Sequence, residues 1–183
     1  MPSCYWLHLR NPRESHMNFQ LRENGNPSFG GIHPLLAELL RAVALDPWER
    51  YPDGSLRLLP SPGEGEALRL DWEDFVQPEL RCHFDTERSL ITRDLEGMKT
   101  EEGENASFLL EIPLRHIDAW LTTLNALRLS IVAEYCFSEK DLSGNRSADL
   151  LTERGLALMQ VSFYAFIQEC LIQTLEADRS AGE

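Results

Sequence analysis

The chain has 183 residues, of which 43% are hydrophobic, and its 30 acidic residues outnumber 17 basic ones for a net charge of −13. This length and apolar content suit one globular domain and exclude a disordered chain. Nucleic-acid binders need basic surfaces because phosphate neutralisation supplies most of their affinity, and anionic membranes also attract basic segments. We therefore expect neither a nucleic-acid nor a membrane partner, and we interpret the acidity as a solubility feature.

Cysteine usage indicates the compartment. Cys4, Cys82, Cys136 and Cys170 lie far apart, with no C-x-x-C pair and no histidine at metal-ligand spacing. The segment MPSCYWLHLRNPRESHMNFQ lacks the basic start and apolar run of a signal peptide. No stretch approaches the ~18 to 20 apolar residues that span a bilayer. These features predict free thiols in a reducing cytoplasm, and they predict no metal or other cofactor.

Two segments near the N-terminus alternate between apolar and polar residues. They are CYWLHLR and MNFQLREN, with Asn11-Pro12 between them. Alternation of period two predicts a short β-hairpin within residues 1–25. The following segment, NGNPSFGG, is predicted to be a loop.

The first helix is predicted over HPLLAELLRAVALDP, where Pro34 fits the first turn and Pro47 ends the helix. Its apolar side contains Leu35, Leu36, Leu39, Leu40 and Val43. A long connection rich in proline and glycine follows.

The second helical region begins at DWEDF, where Asp71 is a candidate N-cap. Pro78 lacks a backbone donor and predicts a break or kink. A longer helix is then predicted from about Pro78 to Glu96, with an apolar face of Leu80, Phe84, Ile91, Leu95 and Met98. KTEEGENAS is predicted to be an acidic loop.

Two further helices complete the chain, from about Leu114 to Phe137 and from about Ala148 to Ala177. The last is apolar on nearly every side, which places it in the centre of the core or at a subunit interface. The predicted fold is a single, mainly α domain over residues 1–183. It consists of a bundle of four to five helices over 33–177 and a short N-terminal hairpin.

Arg128 raises the main question about function. At about 100° per residue, it falls inside the apolar arc of HIDAWLTTLNALRLSIVAEYCF, and Asn125 lies at the edge of that arc. On the same wheel we place His116 and Glu134 on the outer side of the helix. Because an arginine stays charged, an unpaired one in a core would cost several kcal/mol.

A carboxylate is therefore predicted beside Arg128. Glu87 on the Phe84–Ile91 face is the favoured partner, through a forked contact, and Asn125 is expected to extend the network. Asp94 and Glu169 are the alternatives. Three interpretations stay open: a buried pair that fixes helix packing, a side chain that reaches solvent, and an arginine that binds an anionic ligand or a partner.

The segment AWLTTLNALRLSIVAEY contains Trp120, Leu121, Leu124, Asn125 and Arg128. It resembles the W-L-x-x-L-N-x-L-R-L helix of an uncharacterised bacterial family, catalogued as domain of unknown function twenty-seventeen. The order of elements is also similar to that of the family. The resemblance implies no established activity. Members look as though they are encoded beside the adaptor of the Clp protease and a metal-dependent isopeptidase-like protein, which implies a link to protein turnover.

Catalytic patterns are missing from the sequence. The five histidines are scattered without the helical zinc spacing. There is neither a phosphate-binding loop nor a G-x-S-x-G elbow. Trp6, Trp48, Trp72 and Trp120 lie on different elements and are interpreted as anchors to one core. The leading hypothesis is a cytoplasmic, non-catalytic interaction or regulatory module that forms a homodimer or binds a protein partner. The alternative is a protein or enzyme that binds an anionic small molecule through Arg128.

Overall fold

The computed structural model describes residues 17–45, 50–51, 65–103, 106–143 and 151–181. Helices dominate these ranges, and a small antiparallel sheet completes the fold, as predicted. Its four strands are β1 (Asn18–Leu21), β2 (Pro27–Ile32), β3 (Lys99–Glu101) and β4 (Ser107–Glu111), in the order β1-β2-β4-β3. An N-terminal hairpin is confirmed, and MNFQLREN supplies β1, but this strand pairs with β2, which lies beyond the predicted bounds of residues 1–25. CYWLHLR lies outside the described residues.

Two segments predicted to be loops contain strands. In NGNPSFGG, Gly25 has a positive φ of 80° in the turn and Pro27 begins β2, the strand position where a missing N–H is tolerated. Gly31, with a φ of 64°, lies where the β2–β4 register shifts, as in a bulge. KTEEGENAS supplies β3, whose charged residues suit a sheet edge. Local composition indicated turns here, but pairing to neighbouring strands decided the structure.

Four helices lie close to their predicted positions, and two short ones were not predicted. The helices are α1 (Pro34–Arg41), α2 (Glu66–Asp71), α3 (Gln77–Glu96), α4 (Ile117–Glu134), α5 (Glu139–Ser143) and α6 (Glu153–Ala181). The two that were not predicted are α2 and α5. A short 3₁₀ turn, Ala42–Ala44, follows α1, and another, Leu114–His116, precedes α4. His33 Nδ1 accepts a hydrogen bond of 3.2 Å from Leu35 N at the start of α1. Leu35 itself is exposed, so its predicted place on the apolar side is wrong.

The helix around Pro78 is continuous but changes its winding. Asp71 is not an N-cap, because α2 has already begun at Glu66. A π-helical turn, Trp72–Val76, links α2 to α3, and the N–H of Gln77 donates to the carbonyl of Trp72. A proline cannot donate to the carbonyl four residues earlier, and its ring clashes with that group. The wider turn accommodates Pro78 without breaking the helix.

Helices α4 and α6 form the centre of the core and run antiparallel. Gln168 Nε2 donates 3.1 Å to the carbonyl of Leu121, and Arg154 donates to the carbonyl of Tyr135. The largest fully buried side chains include Trp120, Phe29, Phe163 and Tyr164. By length and composition alone the helix over Glu153–Ser180 is able to cross a membrane, with a mean hydropathy of 1.4 over its most apolar window. However, 56% of that window is buried within this fold, as in a core helix.

Candidate functional site

Arg128 lies at the edge of the buried face of α4, where it is partly exposed. The apolar arc predicted from the sequence covers only about half of the surface of α4 that is buried in the structure. Four small residues complete it: Ala119, Thr123, Ala126 and Ser130. These side chains belong to the core because α4 packs against both α3 and α6, and small residues let helices approach closely. Arg128 therefore borders the core instead of lying in its middle.

The partner of Arg128 is a neutral side chain. Its Nη1 donates a hydrogen bond of 2.5 Å to Gln168 Oε1 on α6, and Gln168 in turn is held by the carbonyl of Leu121. Arg128 Nε is buried and has no hydrogen-bond partner in the described part of the chain. Burial lowers the pKa of this guanidinium from its ordinary value, and no compensating carboxylate of the described chain forms an ion pair with it. The guanidinium thus keeps one buried nitrogen, Nε, without an acceptor, and no carboxylate of the described residues pairs with its charge.

The predicted Arg128–Glu87 pair is wrong. Glu87 Oε1 lies 3.1 Å from His83 Nε2, one turn earlier on α3, and Glu87 Oε2 is buried without a partner. Burial raises the pKa of this carboxyl, against the opposing effects of His83 and the Thr122 side chain. The reason is the packing around α4: α3 contacts the side that carries Trp120, while Arg128 points to α6.

The two alternative acids also have other partners. Asp94 accepts hydrogen bonds from α4 and the turn before it, as described below. Glu169 is exposed on α6, and its Oε1 accepts 3.0 Å from Gln173 Nε2. Asn125, expected to extend the network, is exposed, and its side chain makes no hydrogen bond with the described residues. None of the residues predicted to surround Arg128 forms a polar network with it in the described structure.

A second polar cluster was not predicted. Asp94 Oδ1 lies 2.9 Å from His116 Nδ1, and Trp120 Nε1 donates 2.9 Å to Asp94 Oδ2. Asp94 and His116 are both buried, and His116 is only 5% exposed. Its predicted outer position is wrong, because at 100° per residue it lies about 40° from Trp120. The sequence could have indicated this contact, because His116 lies close to Trp120 on the helical wheel and Asp94 lies one turn after the core residue Ile91.

The Asp94–His116–Trp120 cluster joins α3 to the start of α4. The carboxylate receives two donors from one neighbouring segment, which is how a buried charge is normally satisfied. No group of three or more histidine, cysteine or acidic side chains in the described residues is arranged to hold a metal ion. We interpret this cluster as a structural connection and Arg128 as the candidate functional group.

Exposed apolar residues adjoin Arg128 and Gln168 along their helices. Leu129 next to Arg128 is 51% exposed, and Ile172, one turn after Gln168, is 42% exposed. We define the Arg128 face as the two-helix surface of Leu121, Arg128, Leu129, Ala165, Glu169 and Ile172. It combines an incompletely satisfied cation, a carboxylate and apolar side chains, a composition common in protein interfaces.

Comparison with known proteins identifies the family of this chain. No curated protein and no solved structure matches it. The model of one family, described as a domain of unknown function, matches residues 32–175 and so includes α1, α4 and most of α6. The chain therefore belongs to the domain of unknown function family DUF2017.

Proposed function

We propose that this chain is a cytoplasmic, non-catalytic protein-interaction module that forms a homodimer through the Arg128 face. The observation that carries the proposal is the guanidinium of Arg128, which is partly buried, has only a neutral partner, and keeps a buried Nε without an acceptor. A partly buried charge without a counter-ion is energetically unfavourable. A carboxylate supplied by a second molecule would stabilise it.

A second copy offers that carboxylate on the same face. Glu169 follows directly after Gln168, the residue that holds Arg128. In a two-fold dimer each surface meets its own equivalent, so Arg128 of one protomer and Glu169 of its partner form two equivalent pairs. Leu129 and Ile172, both exposed, supply apolar area around these pairs.

Two further features support the proposal. Cys82, Cys136 and Cys170 are free thiols, which suits a reducing compartment. The family resemblance implies a link to protein turnover, and a module that binds other proteins is compatible with that role.

Sedimentation equilibrium over a wide concentration range tests the dimer. We expect wild type to dimerise, and Arg128→Glu to weaken dimerisation by roughly tenfold or more, because like charges then face each other. Glu169→Arg is expected to do the same. The double variant Arg128→Glu/Glu169→Arg restores both pairs with reversed polarity and should recover dimerisation.

Arg179→Glu is the matched control, since it makes the same charge change on an exposed residue near the end of α6 and should leave dimerisation unchanged. A wild-type chain that stays monomeric throughout would refute the homodimer. If that monomer were then stabilised by carboxylates such as citrate, and Arg128→Ala abolished the effect, Arg128 would instead be a site for a small anionic ligand.

A further inference from the structure

The helical segment over residues 66–79 has no buried residue. It includes α2, the π-helical turn and the start of α3, and we call it the acidic arm. Helices of globular proteins are normally held by burial of an apolar face. This stretch leaves three exposed apolar side chains, Leu68, Leu70 and Phe75, available to another surface.

Exposed apolar side chains lie along the acidic arm. Leu68 and Phe75 lie seven residues apart, about two turns of helix, and form a row of two anchors. Trp72 between them is half-buried, and its Nε1 is buried within the chain. Leu68 is 55% exposed and Phe75 is 68% exposed. Apolar anchors on successive turns are the usual means by which a helix enters an apolar groove on another protein. The π-helical turn contains Phe75, and such turns are frequent at functional sites.

Charge identifies the kind of groove. The acidic arm carries five carboxylates, Glu66, Asp71, Glu73, Asp74 and Glu79, and a single basic residue, Arg69. Arg69 is already engaged, because its Nη1 lies 2.8 Å from Glu73 Oε1. A complementary groove must therefore have a cationic rim.

The same charge argues against other occupants. A second copy of this chain has 30 acidic residues against 17 basic ones, so it is a poor source of a cationic rim. Nucleic acids and anionic membrane surfaces are repelled by the carboxylates of the arm. We propose that the acidic arm docks as a helix into an apolar groove with a cationic rim on a different protein. This contact is separate from the homodimer through the Arg128 face.

Photo-crosslinking in the cells that produce the protein tests this proposal. The full chain carries p-benzoylphenylalanine in place of Leu70, which is exposed in the arm but outside the row of anchors. We expect crosslinks to a different protein, through a peptide in which lysine or arginine flanks apolar residues. Phe75→Ala should lower the yield by roughly tenfold or more, as for the loss of an aromatic anchor. Asp71→Asn/Asp74→Asn should lower it severalfold and weaken its dependence on salt.

The matched control places the same crosslinker at Leu142, a leucine of α5 with similar exposure. Because none of the substituted side chains is buried, circular dichroism should show unchanged folding. Several results would overturn the proposal: crosslinks only to a second copy, a yield no higher than at Leu142, an acidic contact surface, or a yield indifferent to both variants. Arg128→Glu should leave these crosslinks intact and the arm variants should leave dimerisation intact, so the two proposals fail independently.

Discussion

Trp120 Nε1 lies 2.9 Å from Asp94 Oδ2, so the indole of α4 is hydrogen-bonded to a buried carboxylate of α3. The same carboxylate lies 2.9 Å from His116 Nδ1. The motif tryptophan thus does more than fill the core. It helps to fix which side of α4 faces α3, and this leaves Arg128 on the side of α6.

The first prediction concerns this cluster. Asp94→Ala should lower the free energy of unfolding by about 3 to 5 kcal/mol, because it leaves buried donors on His116 and Trp120 without an acceptor. Asp94→Asn keeps one acceptor and should cost less, about 1 to 2 kcal/mol. Urea unfolding measures both changes. Asp85→Ala is the control on the same helix; it removes only an exposed pair with Arg88 and should stay within about 1 kcal/mol of wild type.

The second prediction separates the observed contact of Arg128 from a buried ion pair. Arg128→Ala removes one hydrogen bond to Gln168, a loss of about 1 kcal/mol. It also removes a partly desolvated charge, which offsets some of that loss. We therefore expect a change of no more than about 1 kcal/mol in the unfolding free energy of the monomer. A loss of about 3 to 5 kcal/mol would instead mean that an acid had been left without its partner.

The third prediction is a pH dependence at Glu87. Burial raises the folded-state pKa of this carboxyl above its ordinary value of 4.5. The protonated form is therefore favoured in the folded chain, and wild type loses stability as the pH rises from 4.5 through the raised pKa. Glu87→Gln stays neutral, so its advantage should be absent at acid pH and grow towards neutral pH. Melting temperatures across this range give the comparison.

A companion variant sharpens that test. His83 is one of the groups that lower the pKa of Glu87. His83→Gln should therefore raise the pKa of Glu87 further and make the loss of stability with rising pH steeper. Equal pH profiles for wild type and Glu87→Gln would contradict the assignment.

The fourth prediction concerns the connection between α6 and α1. The hydroxyl of Tyr164 donates 2.7 Å to the carbonyl of Leu39 and accepts 2.7 Å from Gln160 Nε2. Burial raises the pKa of this phenol. Tyr164→Phe leaves both partners unsatisfied in the core and should cost about 1 to 3 kcal/mol in denaturant unfolding. Tyr135→Phe, on a partly exposed ring, should cost less and serves as the comparison.

Hydrophobic periodicity predicted the helical architecture well, because helices that line a core repeat apolar residues at a fixed spacing. It located α3, α4 and α6 to within a few residues. It failed for β2, where Pro27 and two glycines are typical of a turn but pairing on both sides makes a strand. It also failed for the small residues of α4, since Ala126 and Ser130 do not look like core residues until a second helix lies against them.

By itself the sequence determined a mainly helical domain, its family and the presence of one arginine beside an apolar face. Only the tertiary structure decided which polar groups meet. The rotation of α4 directs Trp120 to Asp94 and Arg128 to Gln168. A rotation of this kind depends on how all the packed side chains fit together, so the pattern of one helix predicts that a charge needs a partner but does not identify the partner.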